Sequence, residues 1–343
     1  MASSTDKADR DAAAAAIALA GRSIAQGSLL LAAGEHVVIV ADAPGAAIAL
    51  AIADAAGELG AHATFLRLES LGPRPLTDLH PAVRSALGRA HASVLIAGFE
   101  PGEFEMRSEF VSEAARLDIR HAHMVGVTQR SVLMGSRVDP REIELLAAAV
   151  RARVRPDAMI RVRSASGTDL TARCSPSMRW IEHTGVVRPG MKENLPAGEL
   201  VTCPGDVQGV YVADGSLGDG NGVLRATLGV APVRLHIDGG VVRKFESDDA
   251  VLLDKLTHAV RGVAYLDRVG LIGLGINTGM TDLAGDIFTD QKLPGFHISL
   301  GMTFPQLTGA SWSATNWIAF TSVNSDIEVD GAPILQGGRY LIP

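Results

Sequence analysis

Cysteine is almost missing from this chain: Cys174 and Cys203 are the only two in 343 residues, and no C-x-x-C pair occurs. That excludes a disulfide framework and a structural zinc site, and a reduced, cytoplasmic setting is expected. An excess of basic charge is also lacking. The net charge is −7 and the isoelectric point about 5.8, which speaks against a nucleic-acid partner, because phosphate binding relies on clustered Lys and Arg. No window reaches the apolar length of a membrane span. The start, MASSTDKADRDAAAAAIALAG, carries Asp6, Asp9 and Asp11 before a short apolar run, whereas a signal peptide has a basic start and a longer apolar stretch, so it reads as a polar tail entering a helix. There is no P-loop, and the turn Asp42 to Gly45 is not a GxGxxG fingerprint, so no nucleotide cofactor is indicated.

What is present is apolar residue, 47% of the chain against 20% charged. A chain of this length and content can bury two cores, and two domains are expected, 1–155 and 156–343. In the first, apolar strands at His36–Val40, Ala63–Leu68, Ser93–Ala97 and His123–Val127 alternate with helices near Ala46–Leu59, Pro81–Arg89, Phe104–Leu117 and Pro140–Arg153. That rhythm predicts a doubly wound α/β sheet. Phe99 follows the third strand at its carboxyl end, where open sheets place ligands. From Met159 the texture becomes short strands, such as Leu200–Val212, Val233–Ile237 and Val241–Phe245, with a hairpin turn at Asp238-Gly239-Gly240. One helix is expected, at Asp248–Val260. The second domain is therefore β-rich, of α+β class.

Between the two textures lies Glu182 to Gly209, with turn signals at Pro189-Gly190 and Pro204-Gly205. It gathers three carboxylates (Glu182, Glu193, Glu199) and one imidazole (His183). Loops fixed by proline between extended runs are where site residues tend to sit.

The second half resembles the M29 aminopeptidases, whose relatives include the ring-cleaving 2,5-dihydroxypyridine 5,6-dioxygenases. The matching pieces are Gly167-Thr-Asp-Leu170, Asn194-Leu-Pro-Ala-Gly-Glu-Leu-Val-Thr202, Arg268-Val-Gly270, Leu274-Gly-Ile276, Asp290-Gln-Lys-Leu-Pro-Gly-Phe-His-Ile-Ser-Leu-Gly301 and Val329-Asp-Gly331. The resemblance implies an M29-type second domain behind an α/β first domain, a small-molecule substrate and a homodimer. It also implies divalent-metal ligands, of which Glu199 and His297 are kept. The other ligand positions read Leu271 and Asn316-Trp317-Ile318. Leucine and isoleucine offer no lone pair, and catalytic zinc or iron ordinarily takes three protein ligands. No metal ligand set and no cofactor is therefore expected. A rebuilt site for Zn, Mn or Fe would have to recruit Glu182, His183 or His236.

The catalytic candidates are Glu182, Glu199, His297 and Asn316. The resemblance gives Glu182 an active-site position, and a pocket left dry by Leu271 and Ile318 would raise its pKa. The other reading pairs it with Arg179 or Arg188. Glu199 is expected to face the cleft, where a buried carboxylate needs a cation or a proton. His297 would move a proton or hold an oxyanion, or else be a core histidine with one nitrogen satisfied. Asn316 could donate to an oxyanion, while alternation would turn Trp317 the other way. Phe99, His183, Asn194 and Trp317 are the substrate-binding candidates. Cys203 has no activating partner in a nearby motif and reads as structural. The expected activity is metal-independent hydrolysis of an amide-like or ring C–N, or ester-like C–O, bond. The alternatives are metal-dependent aminopeptidase or dioxygenase chemistry at a displaced site, and a non-catalytic small-molecule binder.

Overall fold

The computed structural model of the chain describes residues 4–220 and 222–342. It divides into two compact units, Met1–Glu142 with Gly185–Ala197, and Ile143–Thr184 with Gly198–Pro343. Where the sequence suggests one crossing near 155, the chain passes out of the first unit within a helix and returns to it for 185–197.

The first unit is built on β1 (His36–Ala41), β2 (His62–Arg67), β3 (Ala92–Ala97) and β4 (Arg120–Val125), all parallel. A fifth parallel strand, β8 (Lys192–Asn194), is supplied by the returning segment, giving the order β2-β1-β3-β4-β8. Helices α1 (Ser4–Arg22), α2 (Ala46–Glu58), α3 (Pro81–Leu87) and α4 (Phe104–Arg116) belong to this unit, as does the short α5 (Gln129–Gly135). Strand β1 is apolar without alternation because both of its faces are covered. Val37 and Ile39 pack in a core with Ile48 and Ile52 of α2, whereas Val38 and Val40 pack with Val83, Leu87 and Phe110 of α3 and α4. Each such fully buried side chain contributes roughly 1.5–3 kcal/mol.

The strand order reverses between β1 and β3, which makes their carboxyl ends the switch point of the sheet. Asp42 and Arg74 fill it. The Asp42 carboxylate accepts from Gly98 N at 2.7 Å and from Arg74 at 3.1 Å, and Arg74 also donates to both oxygens of Glu103 at 2.7 Å.

Helix α6 (Pro140–Arg153) leads into the second unit, which is antiparallel. Strands β5 (Met159–Arg163), β6 (Asp169–Arg173), β10 (Asp206–Ala213), β13 (Val233–Asp238), β14 (Val241–Glu246), β18 (Asp326–Val329), β19 (Ala332–Gln336) and β20 (Arg339–Tyr340) form one sheet. The other runs β12-β11-β17-β16-β15-β9-β7. Its members are β7 (Trp180–His183), β9 (Glu199–Thr202), β11 (Ser216–Asp219), β12 (Arg225–Thr227), β15 (Val269–Gly275), β16 (Gly295–Gly301) and β17 (Trp317–Thr321). Helix α7 (Ala250–Val260) completes the unit. The run Leu200–Val212, continuous in sequence texture, is thus cut at Pro204-Gly205 and shared between two sheets. Tyr211 ties them together. It is fully buried on β10, and its hydroxyl lies 3.0 Å from the carbonyl of Phe296 on β16 and 3.2 Å from that of Phe320 on β17. The β13–β14 hairpin turns through Gly239 and Gly240 at φ of 60° and 72°, the left-handed pair such a two-residue turn demands. The fold is the mixed α/β architecture expected, a parallel sheet followed by antiparallel ones.

Candidate active site

One face of the seven-stranded sheet carries a buried polar cluster. Glu199 opens β9 opposite His183 of β7 on one side and Gly275 of β15 on the other. His297 of β16 stands opposite Gly273. Cross-strand partners share a face, and Gly273 and Gly275 are two residues apart, so Glu199, His183 and His297 project the same way.

The two glycines of Gly273-Leu-Gly275 make the cluster possible. A Cβ on Gly273 would lie 2.0 Å from His297 Nε2, so the ring lies across bare backbone toward Glu199. A Cβ on Gly275 would lie 1.9 Å from the carbonyl of Leu293, so the segment entering β16 crosses there and brings Lys292 in. That crossing is pinned by Asn277 N donating to Lys292 O at 2.9 Å and Lys292 N donating to Thr289 O at 2.9 Å. Two residues earlier, the buried carboxylate of Asp290 accepts from Ser216 Oγ and from the backbone N–H groups of Ala284 and Gly285. Burial pushes its pKa up against those hydrogen bonds.

Lys292 Nζ donates to Glu199 Oε1, and His297 Nε2 lies 3.3 Å from Glu199 Oε2. The imidazole contact is within ion-pair range but off hydrogen-bond alignment. The three side chains are 7%, 11% and 3% exposed for Lys292, Glu199 and His297. Burial by itself would raise the Glu199 pKa, yet Lys292, then His297 and His183, hold it far below the usual carboxylate range. Glu199 is therefore an anion at neutral pH, matched by an internal ammonium.

The family model described as 2,5-dihydroxypyridine 5,6-dioxygenase matches residues 27–279, well over half of the chain. The chain belongs to the 2,5-dihydroxypyridine 5,6-dioxygenase family. Among solved structures, the 2,5-dihydroxypyridine dioxygenase of Pseudomonas putida KT2440 is similar at 16% identity and a TM-score of 0.62, over 95% of this chain and 97% of that one. Wild-type AmpT from Thermus thermophilus is similar at 15% identity and a TM-score of 0.61, over 95% of this chain and 99% of that one. At such identities the likeness concerns fold, and it agrees with the M29 aminopeptidase-like architecture read from sequence. A comparison with functionally curated proteins finds no match.

The divalent metal implied by the resemblance does not fit this family member's residues. Glu199 already has a cation, the Lys292 ammonium, which has no lone pair to offer a metal. Leu271, on the same face two residues before Gly273, is buried hydrocarbon, as is Ile318. Among the described residues no group of three His, Cys, Asp or Glu side chains is arranged to hold a metal ion. His236 is on the other sheet, 3.1 Å from Glu246.

The remaining candidates are dispersed. Glu182 is opposite Leu200 rather than Glu199, and alternation turns it to the other face. Its side chain is 44% exposed and 3.3 Å from Arg151. The dry pocket expected around it is not where it sits, and its cation is Arg151 instead of Arg179 or Arg188. Asn316 precedes β17 and lies five residues before Thr321, the partner of His297, so about 16 Å of strand separates it from the cluster. Nor do Asn316 and Trp317 diverge. A Cβ on Gly220 would lie 2.4 Å from Asn316 Oδ1 and 2.9 Å from Trp317 Nε1, because Asn316 is outside the strand and escapes its alternation. Trp317 stacks edge-on against Phe288 at 5.6 Å. Phe99 and Asn194 belong to the first unit. Burial lifts the thiol of Cys203 to about 11, in keeping with a packed, unreactive side chain.

Lys292 is the member of the cluster that the sequence reading misses, although it stands inside the matched stretch Asp290–Gly301. Its signal was indirect. Two glycines spaced by one residue in an apolar strand mark a close backbone approach, and a lone lysine at the mouth of the neighbouring strand is what approaches.

Proposed function

We propose that this chain is a hydrolase of small-molecule catabolism that works without a metal ion at the Glu199–Lys292–His297 cluster. The observation that carries this reading is the Lys292 ammonium seated on Glu199 beside His297, a built-in cation on the carboxylate that the resemblance assigns to a metal. The bond broken is an amide-like or ring C–N, or an ester-like C–O, bond.

Glu199, 3.3 Å from His297 Nε2, offsets the charge of the imidazolium that forms, leaving Nδ1 to take a proton from water. The water oxygen adds to the carbonyl carbon. Lys292, with three N–H donors and one of them spent on Glu199, supplies a donor for the developing oxyanion. The C–N or C–O bond then breaks as His297 returns its proton to the leaving nitrogen or oxygen. The oxyanion role expected of Asn316 thus falls to Lys292, and water activation, for which Glu182 or Glu199 is the sequence candidate, falls to His297. In the low dielectric of a buried site, such charge placement counts for more than it does in water.

The test is turnover of a panel of heteroaromatic amides, lactams and esters by chelator-washed protein, with dissolved oxygen monitored. Expected are product formation without oxygen uptake, insensitivity to chelator, and loss in a folded His297→Gln variant. Activity abolished by chelator and restored by Zn²⁺, Mn²⁺ or Fe²⁺ would overturn the metal-free scheme. Oxygen consumption with 2,5-dihydroxypyridine would replace it with the dioxygenase reaction for which the family is described.

A further inference from the structure

A second polar cluster, unused by that reaction, occupies the first unit on the sheet face covered by α4. His121 and His123 are two apart on β4 and share this face. Ser93 Oγ lies 3.0 Å from His121 Nδ1, and His121 Nε2 lies 3.2 Å from His123 Nδ1. The parallel register puts Lys192 beside His121 and Asn194 beside His123. From α4 comes Arg107, 8% exposed, with its guanidinium 5.2 Å from the Phe99 ring centroid and a hydrogen bond to Glu100 O at 3.1 Å.

This cluster holds two cations whose nearest carboxylates, Glu103 for Arg107 and Glu193 for Lys192, act on them only at a distance. Among the described residues, neither Arg107 nor Lys192 is paired with a carboxylate. Glu103 is occupied by both arms of the Arg74 fork and by Leu76 N, and Glu193 points to the opposite face of β8 by alternation. Burial first, then Lys192 and Arg107, drive the pKa of His123 down to about 3, so the imidazoles are neutral hydrogen-bonding groups at physiological pH. A buried guanidinium with no carboxylate in contact is costly, and a bound anion offsets that cost. The cluster is open to solvent on one side, where Asn194 is exposed and Phe99 is 38% exposed.

We propose that this cluster is a binding site for a small organic carboxylate. The Arg107 fork and the Lys192 ammonium take the carboxylate, His123 and Asn194 complete its hydrogen bonds, and Phe99 offers an apolar surface to the body of the molecule. The site runs along one sheet face, from Phe99 just past the carboxyl end of β3 to Lys192 at the start of β8.

The experiment is isothermal titration of the full-length protein with benzoate, and with benzyl alcohol as its uncharged counterpart. Benzoate is expected to bind and benzyl alcohol not to. Both Lys192→Met and Arg107→Gln should weaken benzoate at least about tenfold, the scale of one lost charge-assisted contact. Because Arg107 also holds the Glu100 carbonyl, Lys192→Met on the short outer strand is the deciding variant. No benzoate binding up to about 10 mM, equal binding of the alcohol, or unchanged affinity in Lys192→Met would each overturn the assignment. Binding is read without turnover, so the result stands apart from the success or failure of the hydrolytic scheme.

Discussion

Two groups of buried histidines in this molecule face opposite electrical surroundings. In the second unit, His297 lies against the ionised Glu199, which is itself balanced by Lys292. In the first, His121 and His123 lie near Lys192 and Arg107. Burial makes an imidazolium expensive at His121 and His123, and in both units the sign of the neighbours decides what the ring can do. An imidazole beside a carboxylate can accept a proton during a reaction. An imidazole among cations stays neutral and offers fixed hydrogen bonds. One residue type thus suits the proposed proton transfer in one unit and the proposed ligand site in the other.

The comparison breaks most sharply at Lys292. Lys292→Met leaves Glu199 as an unpaired buried anion, and about 3–5 kcal/mol of stability should be lost in a urea melt. Adding Glu199→Gln should restore most of it, since the neutral pair has no stranded charge. A single-variant loss below about 1 kcal/mol would mean the pair behaves as a surface ion pair.

Gly273→Ala comes next. Its new methyl would land on His297 Nε2, and overpacking of this kind costs about 1–3 kcal/mol. The expected outcome is a destabilised but folded protein in which turnover falls and benzoate binding in the first unit is unchanged. Activity at the parent level would show that the position of His297 over Gly273 does not matter.

Acid titration separates the two clusters by pH window. His123 has an ordinary value of 6.5 and a folded value near 3, so the unfolded chain takes up the proton first. Its contribution is complete above about 6.5 and is lost progressively as pH falls toward 3. Glu199 is likewise depressed from 4.5, so its contribution holds above about 4.5 and is lost only below that. His123→Gln should flatten the dependence of stability on pH between 6.5 and 4.5, and Glu199→Gln should flatten it below 4.5. If neither variant alters its own window in a pH series of denaturant melts, the assignment of charge states fails.

The smallest effect is expected at Glu182. The Glu182–Arg151 pair is partly exposed, and Glu182→Gln should shift stability by no more than about 1 kcal/mol while leaving turnover intact. A large loss of activity would return Glu182 to the reaction and weaken the case for His297.

Much of the fold was legible before the structure. The strand–helix rhythm of the first 150 residues locates β1 to β4 to within three residues, since long apolar runs between glycine and proline breaks leave little choice. The hairpin at Gly239-Gly240 was equally plain. Strand β8 was not, because Lys-Glu-Asn has no strand texture, and these residues are extended only because β4 offers them an open edge. In the site, Glu199 and His297 were found through their motifs, whereas Glu182 and His183 were weighed without knowing which of the two adjacent positions faces the sheet's polar side. A strand of four residues does not reveal that parity. Its pairing with β9 does.

The sequence by itself determined the two textures, the family, and the presence of Leu271, Asn316 and Ile318 where the resemblance implies metal ligands. These are properties of residue identity and local periodicity. Only the tertiary structure decided that Lys292 reaches Glu199, that Asn316 lies far along the sheet, and that Arg107 and Lys192 gather around the first unit's histidines. Those meetings depend on register across strands and on chain crossings over bare glycine backbone, and neither can be read from a sequence without knowing which strands are neighbours.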